Sequence, residues 1–355
     1  RPHAARRSRR AGGRCAEKSG SAGGKTREKK GQQTPQMSRT PHIEARCRAA
    51  LCCLLLLLGA CRAHTQPLPQ VQSGRVLRLA HFPSRHVQPR HVDVWLPPGY
   101  DGKKPHAVLY LHDGQMLFDS TATWNKQEWR ADETMAGLLA SRSIRPTIVV
   151  GIWSVPELRR REYAPQKALD YLDAGGMQML REAKDPGSQQ PVLGSGGLLS
   201  DHYLKFLTTE LKPFIDSAFC TRPERRSTFI GGSSMGGLIS LYAICEYPQV
   251  FGGAACLSTH WVGPIFRAED NPYPAALLAY MDAHLPSHKT HRLYFDHGTA
   301  TLDALYPAFQ QRADTLMRAK RYSRKNWQTR VFEHAEHSER AWAARLHLPL
   351  RFLLQ

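Results

Sequence analysis

An α/β fold, with a doubly wound, mostly parallel sheet and helices on both faces, is what the sequence predicts for residues 75–355. Three observations carry that expectation. The segments 107–111 and 146–152 are continuous apolar runs, as central strands covered on both faces require. Segments of strand character alternate with segments of helical periodicity along the chain. At 227–242 a short strand breaks through glycines directly into a helical pattern.

In chain order, 76–82 and 91–96 alternate as strands do, and the second stops at Pro97-Pro98-Gly99. A helix is predicted over 128–140, between the two apolar strands, and another over 201–219. Strand 228–230, helix 235–246, strands 253–257 and 292–295, helix 302–319, strand 329–332 and a last helix from about Arg340 complete the pattern, with no internal repeat. The stretch 154–200 breaks this rhythm, with Arg159-Arg160-Arg161 near its start and a Gly/Pro/Ser-rich part after Pro186. Excursions of this length in compact domains serve as lids or binding loops. It is read as covering the substrate, with Arg161 placed to hold an acidic or polar group, and a solvated basic loop is the competing reading.

The 355-residue chain carries a formal charge of +19. Residues 1–36 hold eleven Lys/Arg against two Glu and almost no large apolar side chain, so they are expected to be a disordered extension absent from the mature protein. From Met37 the sequence reads as a secretion signal, with Arg39, Arg46 and Arg48 ahead of an apolar run too short to span a bilayer comfortably. Leu58-Gly59-Ala60-Cys61 resembles a bacterial lipobox, which makes 37–60 a lipoprotein-type signal peptide, Cys61 the lipidated residue and 61–74 a tether. Plain cleavage after Ala63 is the alternative. Export to the cell envelope or periplasm follows, with a lipid anchor as the membrane partner. The charge left from residue 61 onward is +8, moderate and dispersed, and gives no nucleic-acid expectation. Three cysteines remain beyond Cys61, namely Cys220, Cys245 and Cys256, too few for a disulfide framework.

Gly232-Ser233-Ser234-Met235-Gly236 fits G-x-S-x-G, the sharp turn that exposes a nucleophilic serine above a sheet. Only Ser234 suits the register. A dinucleotide fingerprint fails because serines stand where glycine is needed, and a phosphate loop fails because Leu238 stands where lysine is needed. A serine hydroxyl needs a base within reach and a carboxylate to orient that base. His337 follows the last predicted strand and is the expected base, with His334 as the alternative. Asp303 is the expected acid, because a loop carboxylate reaches an imidazole more easily than Asp296 at a strand end. The oxyanion needs two N–H donors; Met235 supplies one and Gly114, in the loop after strand 107–111, the other. His112 and Asp113 brace that loop. His260 and Trp261 are expected to line the pocket, with Trp261 as a core residue the competing reading. No cofactor or metal is expected.

The stretches Tyr110-Leu-His-Asp-Gly-Gln-Met-Leu-Phe-Asp119, Arg161-Glu-Tyr-Ala-Pro165, Gly231-Gly-Ser-Ser-Met-Gly-Gly237, Cys256-Leu-Ser-Thr-His-Trp261 and Glu336-His-Ser-Glu-Arg-Ala-Trp342 resemble the esterase-D-like esterases of the α/β-hydrolase superfamily. That group includes siderophore, feruloyl and acetyl-xylan esterases. The resemblance covers 75–355 and implies Ser234 as nucleophile and His337 as base, with Asp303 less securely matched, since some siderophore-esterase relatives work as a Ser–His dyad. It implies a serine esterase acting on a small-molecule, carbohydrate or siderophore ester. An acyltransferase on the same fold, or a surface lipoprotein that only binds, are the alternative functions.

Overall fold

The computed structural model describes residues 66–185, 189–265, 267 and 269–355. The expected signal peptide and Cys61 lie outside them, and among the described residues no helix is long and apolar enough to cross a membrane.

Eight strands form one sheet: β1 (Arg75–Phe82), β2 (Arg90–Leu96), β3 (Ala107–His112), β4 (Thr147–Ile152), β5 (Thr228–Ser233), β6 (Gly253–Leu257), β7 (Arg292–Gly298) and β8 (Trp327–Phe332). Their spatial order is β1-β2-β4-β3-β5-β6-β7-β8. β2 runs antiparallel to both its neighbours, and every other pairing is parallel.

Alternation along the strands splits the core into two layers. In β3, Val108 and Tyr110 face one cluster while Ala107, Leu109 and Leu111 face the other. The larger cluster takes apolar residues of helices Ser200–Phe206, Met235–Glu246 and Tyr273–His284. The opposite one takes those of Ala131–Ala140, Glu339–Arg345 and His347–Leu354. Helix Met235–Glu246 is buried over eleven of its twelve residues. It is apolar around most of its circumference because it has protein on every side.

The expected strands stand where the apolar runs put them. The helix Tyr273–His284 escaped the pattern because Pro274-Ala-Ala-Leu-Leu-Ala-Tyr-Met281 is apolar almost throughout, which leaves no 3.6-residue period to read. The helix expected over 302–319 divides into a 3-10 turn, Thr301–Leu305, and a helix, Pro307–Ala319, because Pro307 starts a helix well but cannot continue one. The excursion 154–200 contains short helices, Arg159–Tyr163 and Ala174–Glu182 among them.

The compact unit begins at Gln66, not at Arg75. The described part of the expected tether, 66–74, lies along the domain. Gln70 N–H donates to Asp119 (2.8 Å), and Gln72 and Ser73 N–H donate to Asp132 (2.7 and 3.2 Å). Trp95 Nε1 donates to the Ser73 carbonyl at 2.8 Å.

Near that segment, burial together with the carboxylates of Glu133, Asp132 and Asp119 pushes Glu128 up to about 7. A folded chain that keeps this proton, while the unfolded chain has released it above the ordinary carboxylate range, loses stability as pH rises between those two values. Glu128→Gln is therefore expected to raise the thermal midpoint at pH 8 by about 2–4 °C, for roughly 1 kcal/mol relieved at a partly hydrated site, and to leave it unchanged at pH 4. Melting curves at the two pH values check this.

Candidate active site

The predicted site residues gather on loops at the carboxyl ends of the parallel strands, where open α/β sheets bind their ligands. Ser234 follows β5 immediately, with φ 57° and ψ −123°, a conformation that side-chain-bearing residues rarely adopt. The strand before it and the helix after it force that turn. Its backbone N–H donates to the Leu257 carbonyl (2.9 Å), and its own carbonyl accepts from Leu238 N–H (3.1 Å) and His260 N–H (3.2 Å). The turn closes so tightly that a Cβ on Gly232 would lie 2.8 Å from the Gly236 carbonyl carbon, so glycine is required there. Ser234 is largely buried at the head of the helix, with 9% of its surface exposed.

His337 stands on the loop after β8, and its Nδ1 is 2.5 Å from Asp303 Oδ1. Asp303 is fully buried on the turn after β7. Its second oxygen, Oδ2, accepts from Ser258 Oγ at 2.6 Å and from Gly298 N–H at 2.5 Å. Burial alone would raise this carboxyl, but the hydrogen bonds from His337, Ser258 and Gly298 hold it below its ordinary value. Among the described residues no hydrogen bond joins Ser234 to His337. Such contacts often tighten only when substrate binds.

Asp296, the competing acid, points elsewhere. It accepts from Arg345 Nη2 (3.1 Å) and from Ser258 N–H (3.2 Å), and burial raises its pKa. His334 is exposed, with its N–H on Thr299 Oγ1 (2.8 Å), and makes no contact with either carboxylate.

Gly114 is buried and opens the 3-10 turn Gly114–Met116 directly after β3, and Met235 opens the helix behind Ser234. Asp113, at φ 55°, holds the first of these turns and is gripped by Arg159 through two hydrogen bonds of 2.7 and 2.8 Å. His112 is fully buried with Nδ1 on Tyr203 Oη (2.9 Å), and burial lowers its pKa to about 3, so it stays neutral and braces the loop.

Two expected binding residues lie differently. Arg161 Nε donates to the Gly197 carbonyl at 2.6 Å and its guanidinium lies along Gly194 and Gly196, so it stitches the excursion together, and it also lines a cavity with Ser84, Arg85 and Leu199 whose lining does not include Ser234. Trp261 is buried in the core, with Nε1 on Gln310 Oε1 (3.1 Å) and its ring against Phe295. A large indole finds more surface to bury under the sheet edge than at a pocket wall.

The sequence did not single out the polar hub beneath the site. Ser258 Oγ donates to Asp303 and accepts from Trp342 Nε1 and from Arg345 Nη2, both at 2.9 Å. The run Cys256-Leu-Ser-Thr-His-Trp261 carries no spacing signal for such a hub; only the fold brings it beneath Asp303. The thiols of Cys220, Cys245 and Cys256 are free, and burial raises the last two. Among the described residues no cluster of three His, Cys, Asp or Glu side chains is placed to hold a metal ion.

A strained serine at a strand-to-helix turn, with an Asp–His pair from the loops after the last two strands of an eight-stranded sheet of this order, defines the α/β-hydrolase class. The family model described as "Putative esterase" matches residues 84–163 and 154–353, and the chain belongs to that esterase family. It is 27% identical over 180 residues to the uncharacterized protein YbbA of Bacillus subtilis, covering 48% of this chain and 58% of that protein. Over 205 residues it is 26% identical to the siderophore enterobactin esterase of Emericella nidulans, covering 55% and 62%. The aligned regions thus span about three-fifths of these curated relatives. A solved ferulic acid esterase superposes with a TM-score of 0.54 at 17% identity, covering 79% of this chain and 98% of that one, a likeness of fold.

The His337 loop rests on Gly298, where a Cβ would come 2.0 Å from the Ala335 carbonyl oxygen and 3.1 Å from Asp303 Oδ2. Gly298→Ala is expected to push that loop off Asp303, at ~1–3 kcal/mol of overpacking, and to cut kcat by ~10–100-fold while the far-ultraviolet circular dichroism is retained. Steady-state kinetics beside a melting curve checks this.

Proposed function

We propose that the protein is an exported serine esterase that hydrolyses a carboxylic ester through an acyl-Ser234 intermediate. The observation that supports this most is the His337–Asp303 pair, 2.5 Å apart, on loops at the same sheet end as the strained Ser234. In this reading Ser234 Oγ attacks the ester carbonyl carbon and its proton passes to His337 Nε2. His337 then returns the proton to the departing alcohol oxygen, and the acyl–oxygen bond breaks. Water attacks the acyl-serine by the same route, giving the carboxylic acid and free Ser234. Asp303 keeps His337 in the tautomer with a hydrogen on Nδ1 and stabilises the imidazolium as it forms. The N–H groups of Met235 and Gly114 receive the developing oxyanion, aided by the positive end of the helix that Met235 opens.

The substrate belongs to the small acyl, feruloyl, acetyl-sugar or siderophore esters, the range suggested by the esterase family and its relatives. Export and a lipid anchor at Cys61 rest on the signal-like run 37–61. A panel of these four ester types, assayed with and without added hydroxyl acceptors, separates the substrates. It also separates hydrolysis from acyl transfer, since product partitioning to the acceptor marks a transferase.

Ser234→Ala is expected to abolish turnover of short p-nitrophenyl esters with the fold intact, and undiminished activity in that variant would sink the reading. Asp303→Asn is expected to lower kcat by ~10³–10⁴-fold with little change in KM, because the imidazole is left in the wrong tautomer. A loss below tenfold would point to a Ser–His dyad.

A further inference from the structure

One tryptophan stands almost wholly in water. Trp124 is 83% exposed, whereas every other tryptophan of the chain is buried or half-buried. Single exposed apolar side chains are ordinary on protein surfaces. What sets this one apart is the loop that holds it.

That loop leaves the Gly114–Met116 turn and comes back to it, since Trp129 N–H donates to the Met116 carbonyl (2.9 Å) and Ala131 N–H to that of Leu117 (3.0 Å). Its outer part is tied to the segment just after His337. Asn125 Nδ2 donates to Glu339 Oε2 at 2.6 Å, and Arg340 N–H donates to Gln127 Oε1 at 3.2 Å. At the root of the loop, Trp129 packs on Trp342 with ring centroids 5.9 Å apart, and Trp342 stands edge-on to His337 at 5.0 Å. The loop therefore spans from the Gly114 turn to the His337 loop, along one edge of the site. Trp124 lies in it between two anchored neighbours, Asn125 and the buried Thr123, so the chain on both sides is tied down while the indole is left in solvent.

An indole offers a ligand a broad flat face, and another flat ring covers it best. A sugar ring also needs hydrogen-bond partners for its hydroxyls. The polar side chains beside Trp124 are already engaged: Thr123 Oγ1 donates to the Ser120 carbonyl (3.0 Å), Asn125 Oδ1 accepts from Gln127 N–H (3.1 Å), and Lys126 Nζ donates to the Thr121 carbonyl (2.8 Å). Stacking is what remains on offer, and an aromatic ring asks for nothing more.

We propose that Trp124 is a stacking platform for an aryl group of the ester substrate, a specificity-determining residue on the edge of the site between the Gly114 turn and His337. The inference rests on the reading of the protein as a serine esterase acting through Ser234. The ring belongs to the acyl or to the alcohol half of the ester, and the choice of substrates separates the two.

The test compares methyl ferulate, with its ring on the acyl side, phenyl acetate, with its ring on the alcohol side, and methyl butyrate, with none. Each is assayed on the full-length protein and on its Trp124→Ala and Trp124→Phe variants, with melting curves to check the fold. Trp124→Ala is expected to lower kcat/KM by ~5–100-fold for the aryl ester whose ring meets the platform, mostly through KM. Methyl butyrate is expected to stay within about twofold, and Trp124→Phe to restore most of the loss, because a smaller aromatic face is still a face. An equal effect on all three esters, or no effect on any, would overturn the platform, and so would a wild-type enzyme that turns over methyl butyrate but neither aryl ester. A folded wild-type protein that hydrolyses none of the three removes the esterase reading. Calorimetric binding of methyl ferulate then decides the platform: weakening by Trp124→Ala upholds it, and unchanged or absent binding overturns it.

Discussion

Asp303 is a carboxylate with no contact with water, and the upper edge of the sheet is arranged to keep it charged. An uncompensated buried charge costs several kcal/mol. Here the compensation comes from three separate places: the imidazole of the loop after β8, the hydroxyl after β6 and the backbone N–H that ends β7. These bonds also fix the relative positions of the loops that bear them. Arg345, 3.9 Å from Asp303 and 3.1 Å from Asp296, balances the two buried acids from the helix beneath. The geometry offered to Ser234 is thus a by-product of satisfying one ion.

The division between Asp303 and Asp296 follows from this. Asp296 lies near the end of β7 and Asp303 on the turn after it, and both are completely buried, yet burial raises Asp296 while hydrogen bonds lower Asp303. The hydrogen bonds from His337, Ser258 and Gly298 keep Asp303 ionised, whereas at Asp296 burial outweighs the Arg345 guanidinium and biases the carboxyl toward its neutral form. The number and kind of donors decide the matter, and distance along the chain does not.

Much of the fold was legible in the sequence because buried parallel strands leave a plain mark, continuous apolar runs cut by glycine and proline. The elbow was legible because strand, glycine and helix follow within a few residues. Asp303 and His337 were legible only as candidates, since chain order says that they come after the serine and not that they meet. Arg161 shows the limit. An arginine in an unpatterned stretch looks like a ligand-binding group, and no local spacing announces that the Gly194–Gly197 turn folds back to accept its Nε hydrogen. Trp261 was ambiguous for a similar reason, because an indole at a strand end serves a pocket or a core equally well until the helix bearing Gln310 is in place. The hub at Ser258 joins segments more than eighty residues apart and had no signal in the sequence.

The short segment ahead of β1 bears on where this domain can be cut. Gln66, Pro67 and Pro69 help wall a cavity of about 270 Å³ whose other lining includes Gly114 and Gln115, the turn next to Ser234, and Gln66 and Pro67 carbonyls cap the guanidinium of Arg78. A truncated protein starting at Arg75, the boundary that strand periodicity alone suggests, would lay the back of that turn open to solvent. It would also strip Asp132 of the two N–H donors it accepts from and Asp119 of one. Nine residues without regular secondary structure thus behave as an outer wall beside the turn that carries Gly114, and any minimal version of the domain has to carry them.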